Sequence, residues 1–220
     1  MSAASTKDKI LEAAEALFSA RGFQGISVRE ITNRAGANLA AVNYHFGSKA
    51  GLMHAIIERQ IGPLNEKRIL QLTEAESAAQ GRPLSLETVL RIFFTEPIQH
   101  FCRPNQKFPH LLARLHQEPT PEVVKVVLEI FGPMAERFLA ALQLAQPHLS
   151  ERQLLARAMF MKGAMVQVMA DGEQLATALP QGRVSFQDPD FLIDELVDFC
   201  TAGFRVTASI DTRLTTYFRG

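Results

Sequence analysis

Two cysteines in 220 residues, Cys102 and Cys200, permit at most one disulfide. Far apart in a chain that reads as unsecreted, they are expected as reduced, buried thiols. No apolar run reaches the roughly 18 residues of a spanning helix, so no membrane segment is expected. The N-terminus, "MSAASTKDKI", passes straight into a charged amphipathic pattern and has no apolar core of a secretory signal. These absences point to the cytoplasm. Net charge is also missing: 23 Lys and Arg balance 23 Asp and Glu. Residues 1–60 carry seven basic against five acidic side chains, a small excess that permits nucleic-acid contact and does not establish it. Convincing strand alternation, repeats and low-complexity tracts are absent. So are G-x-S-x-G, H-E-x-x-H, glycine-rich phosphate loops and nucleotide fingerprints, which argues against an enzyme and against a bound cofactor. His100, Cys102, His110 and His116 lie close in sequence, but their spacing fits no zinc pattern, so no metal site is expected.

What is present is a globular, almost wholly helical chain with 47% hydrophobic residues. Residues 6–20 place Ile10, Leu11, Ala14, Leu17 and Phe18 on one helical face, closed by Gly22. "SVREITNRAG" opens with Ser27 and has Glu30 three residues later, a capping box, and ends at Gly36. A short helix follows from about Leu39 to Phe46, broken by Gly47 and Ser48. Ser48 then caps a helix reaching to about Ile61, with Pro63 just beyond. Three helices joined by tight glycine turns, the last two separated by three or four residues, form a helix-turn-helix arrangement. Later helices are expected at about 86–102, 106–116, 120–146, 150–171 and 189–207. Loops are expected at 75–85 and 178–190, and Pro97 should kink or split its helix.

The stretch "GANLAAVNYHFGSKAGL" carries the chemistry of the first unit. Ala40 and Ala41 are small enough for close approach to base edges, and Asn43 can donate to and accept from adenine. Tyr44 and His45 can donate to phosphate oxygens. Lys49 sits in the first turn of the next helix, and Ser27 at the start of the second, where free N–H groups favour an anion. Val42 and Phe46, four apart, should face inward. The equally ordinary reading is a half-exposed helix end in a protein-binding three-helix unit.

Residues about 6–60 resemble the DNA-binding domain of the TetR/AcrR family of bacterial transcriptional repressors. The resemblance runs in order from "ILEAA" through "LF", "GF", "SVREI" and "AG" to "YHFGSK". "NLAAVNYHFGSK" is similar to a subgroup that contains fatty-acid-responsive regulators. The resemblance implies an all-α protein with an N-terminal helix-turn-helix domain at 4–64. A larger helical effector-binding and dimerisation domain would follow at 65–220. It implies that Leu39, Ala40, Ala41 and Asn43 face bases of a double-stranded operator, and that Ser27, Tyr44, His45 and Lys49 hold phosphates. It also implies a homodimer and a small-molecule effector.

The second half can be asked whether its residues agree. Apolar rows at 3–4 spacing nominate Phe93, Phe94, Ile98, Phe101, Phe108, Leu112, Leu115, Val127, Phe131, Met134 and Met165 as the wall of an adaptable apolar pocket. The resemblance implies a small apolar effector, with fatty acids, acyl-CoAs and aromatic compounds as the classes to screen. His100, His110, His116, Arg103 and Arg114 are its polar candidates. The helices at 150–171 and 189–207 are apolar over more than one stripe. Leu154, Met161, Ala164, Val168, Leu196, Phe199, Gly203 and Phe204 are the expected dimer face. A helical carrier that keeps the helix-turn-helix without using it is the competing reading, and it predicts no salt-sensitive DNA binding.

Overall fold

The computed structural model describes residues 5–102, 106–117, 119–178, 186 and 188–206. Among these residues it contains nine helices and no strand. They are α1 (Thr6–Arg21), α2 (Val28–Ala35), α3 (Leu39–Phe46), α4 (Lys49–Ala78), α5 (Leu86–Phe101), α6 (Phe108–Gln117), α7 (Pro121–Ala145), α8 (Glu151–Ala178) and α9 (Pro189–Arg205). None of the described helices is long and apolar enough to cross a membrane. Arg103 and the 178–190 loop, apart from Ala178, Phe186 and residues 188–190, lie outside the described residues, as does the expected end of the last helix at 207.

Local signals place the first three helices. Ser5 caps α1 by accepting from the Asp8 N–H at 3.2 Å. Ile10, Ala14 and Phe18 bury the inner face completely. The Ser27–Glu30 capping box is formed in both directions. Gly36, at φ 61°, ends α2 in the left-handed region that side chains rarely enter. Asn38 then caps α3 by accepting from the Ala41 N–H at 2.8 Å, so only three residues separate the two helices. Gly47, at φ 71°, closes α3, and Ser48 caps α4.

α4 departs from the expected boundaries. It runs through Pro63 to Ala78, where a stop near Ile61 and a loop from residue 75 were expected. A mid-helix proline forfeits one backbone hydrogen bond and crowds the preceding turn. Tertiary packing outweighs that loss. Ile61, Asn65, Arg68 and Leu72 form one buried row, packed on α5 and α7. α5 likewise stays a single helix across Pro97, and α7 continues through Pro133. α8 extends to Ala178, beyond the expected end at 171. Cys102 is half-buried and Cys200 buried; both are free thiols, pushed up to about 11 by burial.

α4 leads from the three-helix unit into the larger helical body. There α5 and α7 pack on it, α8 packs on α6 and α7, and α9 is laid along α5. α6 also packs on α1, making a second bridge between the two parts. Arg114 Nε of α6 donates to the Ser19 carbonyl of α1 at 2.8 Å. The Ser19 hydroxyl lies 3.0 Å from the Lys107 carbonyl, at the root of α6.

Candidate nucleic-acid interface and ligand cavity

α3 is held from one side only. Val42 is fully buried, and Phe46 and Ala41 are half-buried against the core. Leu39, Ala40, Asn43, Tyr44 and His45 point out, with Tyr44 85% exposed. The rings of Tyr44 and His45 meet edge to face at 5.0 Å, so two donors leave the end of α3 side by side. A helix that buries one of its eight residues and turns small, amide and ring-donor groups outward suits insertion between polar walls.

The flanking groups are more engaged than their spacing suggests. The Ser27 hydroxyl donates to the Glu30 carboxylate at 3.0 Å, and the Ser27 N–H donates to it at 2.8 Å. The Ser27 N–H, Arg21 at 2.8 Å and the Ser27 hydroxyl hold that carboxyl down at about 2. It therefore remains an anion beside the start of α2. The capping box consumes the Ser27 and Glu30 N–H groups, so neither is free for a phosphate. Lys49 also differs from a free cation at a helix start. Its ammonium lies over the Phe23 ring at 4.3 Å from the centroid, and burial lowers its pKa.

The second feature is a cavity of about 320 Å³ enclosed by α4–α8, within the size range of small-molecule sites. Of the nominated residues, Phe93, Leu112, Leu115, Val127, Phe131, Met134 and Met165 line it. Phe94, Ile98, Phe101 and Phe108 do not; they are buried in the packed core, Phe101 stacking on Phe108 at 5.0 Å. Phe138 joins the wall and meets Phe93 edge to face at 5.3 Å. Leu128, Leu155 and Met159 line the cavity yet are more than half exposed, which marks its mouth.

Three polar groups in the wall were not all foreseen. Lys162 is half-buried, and burial lowers its pKa. His116 was nominated; its Nδ1 lies 2.6 Å from the Leu112 carbonyl. Arg68 is only 1% exposed. Its signal in the sequence was the row Ile61–Asn65–Arg68–Leu72, which keeps helical spacing past Pro63. The other polar candidates turn elsewhere. Arg114 bonds to α1, His100 packs on Phe101, and His110 lies 3.9 Å from Asp171. Among the described residues no three His, Cys, Asp or Glu converge as metal ligands.

The expected dimer residues split between two faces. Leu154, Met161, Leu196 and Phe204 are buried within the chain, Met161 in the cavity wall. Ala164 and Val168 are half-buried. Phe199 and Gly203 are exposed, as are Phe160 and Gly163 one turn along α8. Both helices carry two apolar stripes, and only packing decides which stripe closes the core.

Two family models match the chain. One, described as bacterial regulatory proteins of the tetR family, covers residues 10–56. The other, the tetracyclin repressor-like C-terminal domain, covers residues 99–203. A probable HTH-type transcriptional regulator of Bacillus subtilis, YttP, is 51% identical over 53 residues, 24% of this chain and 26% of that protein. The HTH-type transcriptional repressor NicS of Pseudomonas putida is 36% identical over 76 residues, 33% of this chain and 36% of its own. The chain thus spans well under half the length of these relatives. The fatty acid degradation regulator FadR of Bacillus halodurans shares the fold, with a TM-score of 0.64 at 14% identity over 94% of this chain and 100% of its own. A tetR-family regulatory protein of Rhodococcus RHA1 superposes with a TM-score of 0.61 at 15% identity, over 94% and 100% of the two chains.

Proposed function

Since the chain belongs to the TetR family of bacterial transcriptional regulators, we propose that it is a homodimeric repressor, released from a palindromic operator by a small apolar effector. It is a DNA-binding regulator and not an enzyme. The observation that carries the DNA-binding reading is the outward face of α3. Leu39, Ala40, Asn43, Tyr44 and His45 are all exposed on a helix whose Val42 is locked beneath. Leu39, Ala40, Ala41 and Asn43 meet base edges. Tyr44, His45, Lys49 and the Ser27 hydroxyl meet phosphates, Lys49 by leaving the Phe23 ring and Ser27 by turning its hydroxyl away from Glu30.

The DNA-binding domain is 4–64 and the effector and dimerisation domain is 65–220, with the division inside α4. One continuous helix therefore belongs to both. Phe199 and Gly203 of α9, with Phe160 and Gly163 of α8, supply the outer apolar face on which two copies pair about a two-fold axis. The pair presents two α3 helices to half-sites about one helical turn apart or a little more. An effector in the cavity favours a state in which those helices are wrongly spaced, a coupling of typically ~1–3 kcal/mol. The protein acts in the cytoplasm, where operator DNA lies.

The test is fluorescence anisotropy on a labelled fragment from upstream of the protein's own gene, with scrambled DNA as control, at two salt concentrations. Tight binding over the control that weakens as salt rises supports the reading. Selection from random DNA that yields no sequence preference refutes it and favours the carrier. Fatty acids, acyl-CoAs and aromatic compounds are then screened as releasers in the same assay.

A further inference from the structure

Arg68 does more than its packing requires. Pro97 lacks the N–H that would bond the Phe93 carbonyl four residues back. Arg68 Nη1 supplies that bond at 3.0 Å. Pro133 likewise leaves the Glu129 carbonyl without its helical partner, and Asn65 Nδ2 reaches the next carbonyl, that of Ile130, at 3.4 Å. Arg68 Nη2 donates to Asn65 Oδ1, joining the two contacts. These acceptors are neutral. They require donors, which an amide could provide, but they do not require a charge.

The charge is left over. Arg68 is 1% exposed, and burial brings its guanidinium down to about 10, still cationic at neutral pH. Its nearest electrostatic partner, Glu96, is taken by Lys67 at 2.9 Å and by Gln71 at 2.9 Å. Among the described residues no carboxylate lies within ion-pair distance of Arg68, and its Nε donates to nothing. The Phe93 ring, 5.0 Å from the guanidinium carbon, compensates only part of the cost of burying a cation. Yet Arg68 stands in the wall of the apolar cavity. Lys162, also in that wall, is half-buried and can carry its ammonium to water along its stem. Arg68 cannot.

We propose that the effector is an amphipathic free carboxylate whose anionic head seats on Arg68 and whose apolar body fills the cavity toward Leu128, Leu155 and Met159. It deepens the effector reading above and rests on it. Head-first entry follows from burial: the cation is deep and the mouth is apolar. It also excludes coenzyme A thioesters, whose bulky polar end cannot pass to Arg68 and whose acyl end brings no charge there.

The test is isothermal titration of the full-length protein with straight-chain acids from hexanoate to hexadecanoate, their matching primary alcohols and their coenzyme A thioesters. The best acid should bind about ten-fold or more tighter than its alcohol, the effect of a charge-assisted hydrogen bond. R68Q should erase that preference while leaving alcohol affinity within about two-fold. R68K should keep part of it, and K162Q should leave it intact. Equal binding of acid and alcohol, tighter binding of the thioester, loss of the preference in K162Q, its survival in folded R68Q, or no binding in any series overturns the assignment. If R68Q does not fold, the wild-type acid–alcohol pair and K162Q still decide. Operator binding is not read here, so a failed operator assay and a failed titration are separable.

Discussion

Arg114→Met should weaken the link between the cavity and α3 without touching either. Arg114 lies on α6, whose Leu112, Leu115 and His116 line the cavity. Its Nε caps the Ser19 carbonyl, in the last turn of α1, at 2.8 Å. Carbonyls there have no partner within their own helix, and a cation is favoured by the helix dipole. A hydrogen bond from a charged group contributes ~1.5–3 kcal/mol, and the dipole adds a few tenths to 1. Arg114 is only part-buried, so about 1–2 kcal/mol is the reasonable net loss. For a chain of this size that lowers Tm by roughly 2–8 °C. The functional consequence is separate from the thermal one. Ligand-free operator affinity, measured by anisotropy, should stay within about three-fold. The ratio of affinities without and with effector should fall by roughly five-fold or more, since the coupling itself is only ~1–3 kcal/mol. A variant with an unchanged Tm and an unchanged ratio would refute the role of the α6–α1 contact. An unchanged ratio with a lowered Tm would make Arg114 a purely structural cap.

Tyr44→Phe combined with His45→Ala should weaken operator binding by roughly 5–150-fold through two lost phosphate donors, read by anisotropy, with melting unchanged because both side chains are exposed. Phe199→Asp places a charge on the exposed face of α9 and should convert the dimer to monomer in sedimentation, with Cys200 and Leu196 still packed beneath and Tm lowered only as the dimer is lost. Ala135→Phe grows a ring into the cavity it lines and should abolish effector titration heats while operator binding persists. Asn65→Leu removes the oxygen that accepts from Arg68 and leaves that buried donor unpaired; a loss of about 1–3 kcal/mol by chemical denaturation is expected.

The helix-turn-helix was legible because its boundaries are written locally. Ser27, Glu30, Gly36, Asn38 and Gly47 each act through bonds or dihedrals within a few residues. The length of α4 was not, because Pro63 is a local stop signal, and the residues that overrule it, Asn65 and Arg68, interrupt the apolar row with polar groups. Their reason for being buried lies on α5 and α7, some 25 and 65 residues away. The cavity was half legible for a similar reason. Phe93 and Phe94 are adjacent and both buried, yet only Phe93 lines the cavity. Periodicity says that two faces of α5 are apolar; the packing of α9 along α5 decides which face closes the core.

The prolines tie these observations together. Pro63, Pro97 and Pro133 sit in three of the helices that wall the cavity. Pro97 breaks the backbone ladder beside the space a ligand would fill, and Pro133 breaks it next to Gly132, itself in that wall. An unbroken helix would have brought an N–H to the Phe93 carbonyl and left no use for a buried donor on α4. Breaking it creates the acceptor, the acceptor recruits Arg68, and Arg68 brings a charge that its neutral partners leave uncompensated. The same arginine lies on α4, which begins at Lys49, separated from α3 by two residues. On the proposal above, a ligand that neutralises Arg68 acts on the helix that follows α3, a second route beside the α6–α1 contact.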